Sequence, residues 1–129
     1  MKDFLDELLE AGCVRMNPNS HWSSPVYVVK KPSGGYRLTI DLRYPNSQLI
    51  PIAGVMPIFE VVLSYLTGSS YFSTLDAFKG YWQFPLDEES QEIVSFQTDS
   101  GIVTPTRLSQ GLTDSVFAFQ NGMREVVSI

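Results

Sequence analysis

The sequence predicts an α+β fold. Two segments read as β-hairpins, amphipathic stretches of helical period stand apart from them, and strands do not alternate with helices as a parallel sheet would require. The chain has 129 residues, enough for one modest domain, and 43% of them are hydrophobic, so a core can be buried.

In chain order, a helix is expected over residues 3–11, where Leu5, Leu8 and Leu9 recur at helical spacing and Gly12 suits the stop. The polar run 17–24 is a loop. Pro25 to Lys31 reads as a strand, Pro32 to Gly35 as a turn, and Tyr36 to Asp41, alternating with period two, as the returning strand. Residues 44–56, with Pro45, Asn46, Pro51 and Gly54, are expected to be loop. A short helix starts near Pro57, carries Phe59, Val62, Leu63 and Leu66 on one face, and ends at Gly68. Tyr71 to Asp76 is strand-like, Lys79 to Tyr81 a turn, and Trp82 to Leu86 extended. Asp87 is placed to cap a helical turn. Ile93 to Thr98 and Ile102 to Leu108 flank Asp99-Ser-Gly101 as the second hairpin. Thr113 is placed to cap a last helix bearing Val116, Phe117, Phe119, Gln120 and Met123. Gly122 interrupts that helix at a cost of about 1 kcal/mol relative to Ala. The helix meets no stop signal before Ile129, so a chain cut short is expected.

Composition limits the chemistry. The single cysteine, Cys13, with no CxxC, excludes an internal disulfide and a zinc site. An intracellular setting is expected, with a cytoplasmic particle and the nucleus both open. No apolar run is long enough to cross a membrane. The net charge of −5 argues against a self-sufficient nucleic-acid binder. The charge is uneven, however. Between Arg15 and Arg43, the residues Arg15, Lys30, Lys31, Arg37 and Arg43 face only Asp41, whereas acids dominate from Asp76 onward. One segment is suited to phosphate and the other to cations or solvent; ordinary surface charge is the alternative.

Four blocks carry a more specific signal. They are HWSSPVYVVKKPSGGYRLTIDLRYPN at 21–46, YFSTLDAFKGYWQFPL at 71–86, Thr98-Asp-Ser-Gly101, and LSQGLTDSVFAFQ at 108–120. In order and spacing they resemble the reverse transcriptases of gypsy-type LTR retrotransposons over about residues 4–129. The family patterns are S-P-V-x-x-V-K-K-x-D-G-x-x-R-x-x-x-D-Y-R-x-L-N, F-S-K-L-D-L-x-x-G-Y-x-Q-I and M-P-F-G-L-x-N-A-P-x-x-F-Q. There are departures: Pro32-Ser33 stands where the family has Lys-Asp, and Asp114-Ser115-Val116 where it has Asn-Ala-Pro. The family's Y-x-D-D strand, with two of its three catalytic aspartates, is absent.

The resemblance implies a partial right-hand polymerase: fingers with a leading helix over about 1–70, and front palm over about 71–129. It implies nucleotide addition to a primer, helped by two Mg²⁺ ions roughly 3.5–4 Å apart. Asp76 becomes the catalytic metal aspartate, with the Ala77 carbonyl as a further ligand; from spacing alone Asp76 reads as a strand-end cap. Lys31 and Arg37 become triphosphate ligands, with solvated hairpin charge as the alternative. Tyr81 becomes the ring that meets the sugar and selects deoxynucleotides, with a core tyrosine as the alternative. Gln110 becomes a sugar contact, and Gly111 allows close backbone approach. Asp41 and Arg43 are expected to pair with each other or with neighbouring backbone. His21 is expected to be a plain loop residue, and Asp87, Glu88, Glu89 and Glu92 a solvated turn and helix start. The implied partners are an RNA or DNA template–primer, a deoxynucleotide, and the rest of a pol polyprotein (remaining palm, connection, RNase H). A non-catalytic transposon remnant or nucleic-acid-binding fragment is the rival reading.

Overall fold

The computed structural model describes residues 2–127. Helix α1 (Lys2–Glu10) buries Leu5 and Leu8 and turns at Gly12, whose φ of +66° is a conformation glycine adopts without strain. The chain then enters β1 (Val14–Met16), a strand that the sequence pattern did not suggest. It is the edge of an antiparallel sheet of order β1-β5-β4, formed with β4 (Phe96–Thr98) and β5 (Gly101–Pro105). Val14 pairs with Pro105, and Phe96 with Val103. The leading segment is thus bound to a sheet contributed mainly by residues 96–105.

The first hairpin forms as expected, from β2 (Val26–Lys30) and β3 (Tyr36–Ile40). Gly34 and Gly35 both have positive φ at its tip, and Lys31 N–H donates to the Gly35 carbonyl at 3.0 Å. Side chains alternate across the ribbon. Val26, Leu38 and Ile40 pack on the main core of Leu5, Leu8, Val14, Phe96 and Val103. A second cluster, Leu42, Val94 and Leu112, continues that core, and Ile40 touches both. Hydroxyls satisfy the polar groups buried beside the sheet. Ser95 Oγ lies 2.7 Å from Thr104 Oγ1 and 3.1 Å from Ser20 Oγ, and Asn17 Nδ2 donates to Thr104 Oγ1. The pair Ser24 N–H to Ser95 carbonyl and Gln97 N–H to Ser24 carbonyl then sets where β2 begins.

Several expectations are corrected. Residues 44–56 are not all loop: α2 (Arg43–Gln48) runs through Pro45. Proline in a first helical turn removes no intrahelical hydrogen bond, so its breaker character does not apply there. Tyr71 to Asp76 does not form a strand. The residue types suit a strand, but no strand lies beside the segment among the described residues, and an extended segment without a ladder partner gains no backbone pairing. Leu75 is accordingly 91% exposed. Trp82 to Leu86 is not a continuous extended run. Gly80–Gln83 is a 3₁₀ turn, and only Pro85, paired with Arg107, makes an isolated bridge. Glu92–Val94 is likewise a 3₁₀ turn ahead of β4. The expected short helix is α3 (Phe59–Leu66), ended at Gly68, and its apolar face is exposed.

Asp87 does cap α4 (Glu88–Gln91), accepting from Ser90 N–H at 3.1 Å. The last helix, α5 (Ser115–Val127), starts one residue later than a Thr113 cap would place it. Thr113 instead donates its N–H to Asn46 Oδ1. The expectation that the helix runs on to Ile129 lies partly outside the described residues. No helix is long and apolar enough to cross a membrane among the described residues.

Candidate nucleotide site

The register of the first hairpin assigns its charges to a face. Val29 pairs with Arg37 and Tyr27 with Thr39, and Lys31 follows Val29 by two residues. Lys31, Arg37, Tyr27 and Thr39 therefore share the face opposite the core. Tyr27 and Thr39 wall a cleft of about 320 Å³, closed on other sides by Asp41, Arg43, Asn46 and Gly111. The face that bears Lys31 and Arg37 thus continues into the cleft of Gly111, but those two side chains lie further along the hairpin and do not line it.

Asp41 and Arg43 pair as expected. Arg43 Nε and Nη2 donate to the two carboxylate oxygens at 2.9 and 2.6 Å, a bidentate fork. This pair also lines a neighbouring cleft of about 530 Å³ with Trp22, Pro25 and Tyr44, where the Trp22 and Tyr44 rings lie 5.9 Å apart. The side-chain hydrogen bond from Arg43, then its backbone N–H, lowers Asp41 from 3.8 to about 2. A depressed carboxylate contributes stability above its unfolded value and loses it on acidification. The contribution of Asp41 is therefore intact above about pH 4 and fades towards pH 2. Arg43→Ala should return the Asp41 midpoint towards 3.8, read by NMR titration of its carboxyl carbon; a midpoint that stays near 2 would refute the pairing.

Gln110 and Gly111 lie between β5 and α5. Gly111 has φ +97°, and Gln110 is exposed. Asn46, which sequence reading placed in a loop without a role, donates from Nδ2 to the Gly111 carbonyl at 2.9 Å. The asparagine that closes the family's R-x-L-N pattern was the available signal.

Asp76 and Ala77 do not line this cleft. Asp76 is exposed on the unpaired segment rather than at a rigid strand end, and among the described residues it has no hydrogen-bond or ion-pair partner. The turn that follows is held firmly. Lys79 has φ +47°, and Gln83 Nε2 donates to the Phe78 carbonyl at 2.6 Å. Tyr81 is half-buried with its ring 5.1 Å from that of Phe119 on α5. His21 is more than a plain loop residue: its backbone N–H and ring Nδ1 meet Glu92 at 2.6 and 3.0 Å. The backbone bond, then the ring, holds the Glu92 carboxyl below its ordinary value.

Comparison with known proteins decides the family. Residues 29–129 match the model described as reverse transcriptase (RNA-dependent DNA polymerase). The chain belongs to the reverse transcriptase family. Its relatives include the retrovirus-related Pol polyproteins from Drosophila melanogaster transposons 297 and gypsy, 35% and 34% identical over 95% and 94% of the chain. The Pro-Pol polyprotein of simian foamy virus type 1 is 34% identical over 89%. Among solved structures, the prototype foamy virus protease-reverse transcriptase superposes with a TM-score of 0.86 at 29% identity over 98% of the chain. The foamy viral enzyme in complex with an RNA/DNA hybrid gives 0.85 at 28% identity, also over 98%. The chain spans 12% of either transposon polyprotein, 10% of the viral one and 17% of each solved chain. It is a fingers-and-palm piece of a reverse transcriptase domain, and its α+β class is that of the family.

Reverse transcriptases are generally metal-dependent. A hard cation needs several oxygen ligands. Here Asp76 and the adjacent carbonyl stand alone, and no three of His, Cys, Asp or Glu gather as a metal set among the described residues. The described residues therefore do not fit a metal centre by themselves.

Proposed function

We propose that this chain is the nucleotide-receiving part of an RNA-directed DNA polymerase that extends a primer with deoxynucleotides. One observation carries the reading: Lys31 and Arg37 lie on the hairpin face that walls the cleft containing Gly111. An arginine fork and a lysine point charge on one face suit a triphosphate. In this reading Gln110 and Tyr81 meet the sugar, and Asp76 with the Ala77 carbonyl is the chain's contribution to a Mg²⁺ centre in the complete enzyme. The template–primer and the rest of the pol polyprotein, including remaining palm, connection and RNase H, are its partners. Solved relatives holding dsDNA and an RNA/DNA hybrid support that assignment. The setting we assign is intracellular, in a cytoplasmic particle or the nucleus.

Binding of a fluorescent deoxynucleoside triphosphate to the chain tests the reading. Lys31→Ala and Arg37→Ala should each weaken binding about fivefold, or about 1 kcal/mol, and a monophosphate should bind more weakly than a triphosphate. Equal binding by both variants, or by both nucleotides, would reject it. The single carboxylate favours a second reading for the isolated polypeptide, binding without catalysis. Primer extension on poly(rA)–oligo(dT) with Mg²⁺ and dTTP should then give no product. Incorporation that co-purifies with the chain and vanishes in Asp76→Asn would overturn this.

A further inference from the structure

The loop carrying Gln110 is tied on both sides of that residue. Ser115 Oγ donates to the Ser109 carbonyl at 2.6 Å, and Leu112 is buried in the second core cluster. Asn46 on α2 takes the two groups between. Its Nδ2 donates to the Gly111 carbonyl and its Oδ1 accepts from Thr113 N–H, both at 2.9 Å. Gln110 is exposed beside Gly111, which lines the cleft, and has no hydrogen-bond partner among the described residues. A primary amide offers a donor and an acceptor in one plane, which this carbonyl and N–H require; aspartate offers acceptors only. Asn46 also lines the cleft, and its helix is anchored by buried Leu42.

We propose that Asn46 is a positioning residue that clamps the Gly111 and Thr113 peptides and thereby aims Gln110 at the sugar of a deoxynucleoside triphosphate in the cleft. The inference rests on the nucleotide reading above and deepens it, from the contacting residues to the one that orients them.

The test follows the 129-residue chain by NMR, with amide hydrogen exchange and dTTP titration. Asn46→Ala should speed Thr113 exchange at least tenfold and leave Val103, in the sheet, unchanged. It should weaken dTTP binding at least threefold. The double variant with Gln110→Ala should bind no more weakly than Gln110→Ala alone, because Asn46 acts through Gln110. Asn46→Asp keeps the Thr113 acceptor and loses the Gly111 donor. It should keep Thr113 protected yet weaken binding, again only while Gln110 is present, whereas repulsion by the new charge would persist without Gln110. If Asn46→Ala does not fold, Asn46→Asp decides alone. Additive losses, unchanged Thr113 exchange in Asn46→Ala, or parallel loosening of Val103 each overturn the inference. Wild-type chain that binds dTTP no better than Asn46→Ala overturns it while leaving the cleft reading intact. No dTTP-dependent shift at Lys31, Arg37 or Gln110 in the wild type rejects the cleft reading and this inference with it.

Discussion

Gly122→Ala should destabilise the fold by about 1–2 kcal/mol, although the same change inside an ordinary helix contributes roughly 1 kcal/mol of stability. The reason is the ring of Phe84. A β-carbon at Gly122 would overlap it, with Cζ at 2.7 Å and Cδ1 at 2.8 Å. The ring has little freedom to retreat. It meets the Phe119 ring edge-on at 5.4 Å, and the Phe84 carbonyl is fixed by Leu108 N–H at 2.8 Å. The helix interruption read from sequence is therefore a notch on α5 that receives an aromatic ring. Overpacking must exceed the propensity gain, since a helix surface that approaches this closely cannot relax by a side-chain rotation alone. Denaturant melts of the wild type and variant decide it: an unchanged or raised midpoint at constant m-value would mean that the ring moves aside freely. Shrinking the ring by Phe84→Leu in the Gly122→Ala background should recover part of the loss.

In a polymerase completed by joining this chain to the remaining palm of a relative, Asp76→Asn should abolish synthesis and Tyr81→Val should relax sugar choice. In the role proposed for Asp76 the carboxylate has no substitute in an amide, so the expected first effect is a loss of at least about a thousandfold, or some 4 kcal/mol in the barrier. Tyr81 follows Asp76 by five residues across a turn held by Gln83, and its ring is steadied against Phe119. A steadied ring can exclude a 2′-hydroxyl, and its removal should raise the ribonucleotide share by at least about tenfold. The comparison must be of kcat/KM for the two sugars, because discrimination is a difference between transition-state affinities. A ratio unchanged in Tyr81→Val, with Asp76→Asn still dead, would make Tyr81 a packing residue of the Phe119 cluster only.

Local chemistry made much of this fold readable. The hairpin announced itself by Gly34 and Gly35 between period-two runs, the helix ends by Gly12 and Gly68, and the α4 cap by Asp87. The Asp41–Arg43 pair was equally visible, since both partners lie within one short segment. What escaped depended on distant partners. Three residues, Val14 to Met16, carry no pattern; they are a strand because β5 accepts them. Tyr71 to Asp76 has strand-forming residue types and is not a strand, because among the described residues no neighbour pairs with it. Asn46 looked like a loop residue until Gly111 and Thr113 came to its side chain. The family's R-x-L-N pattern marked the position but not the role, because both partners are backbone groups and backbone leaves no trace in composition.

The β1–β5 pairing also dictates an order of events during folding. The β2–β3 and β4–β5 hairpins join strands that are close in sequence, so each closes a short loop at small entropic cost. Val14 must find Pro105 across most of the chain. Such a non-local contact is slow to form, because the intervening segment must first lose its freedom. Until β5 exists as a paired strand, the amino-terminal helix has only part of the surface it buries against. The first residues of this chain are thus among the last to have a complete place to dock.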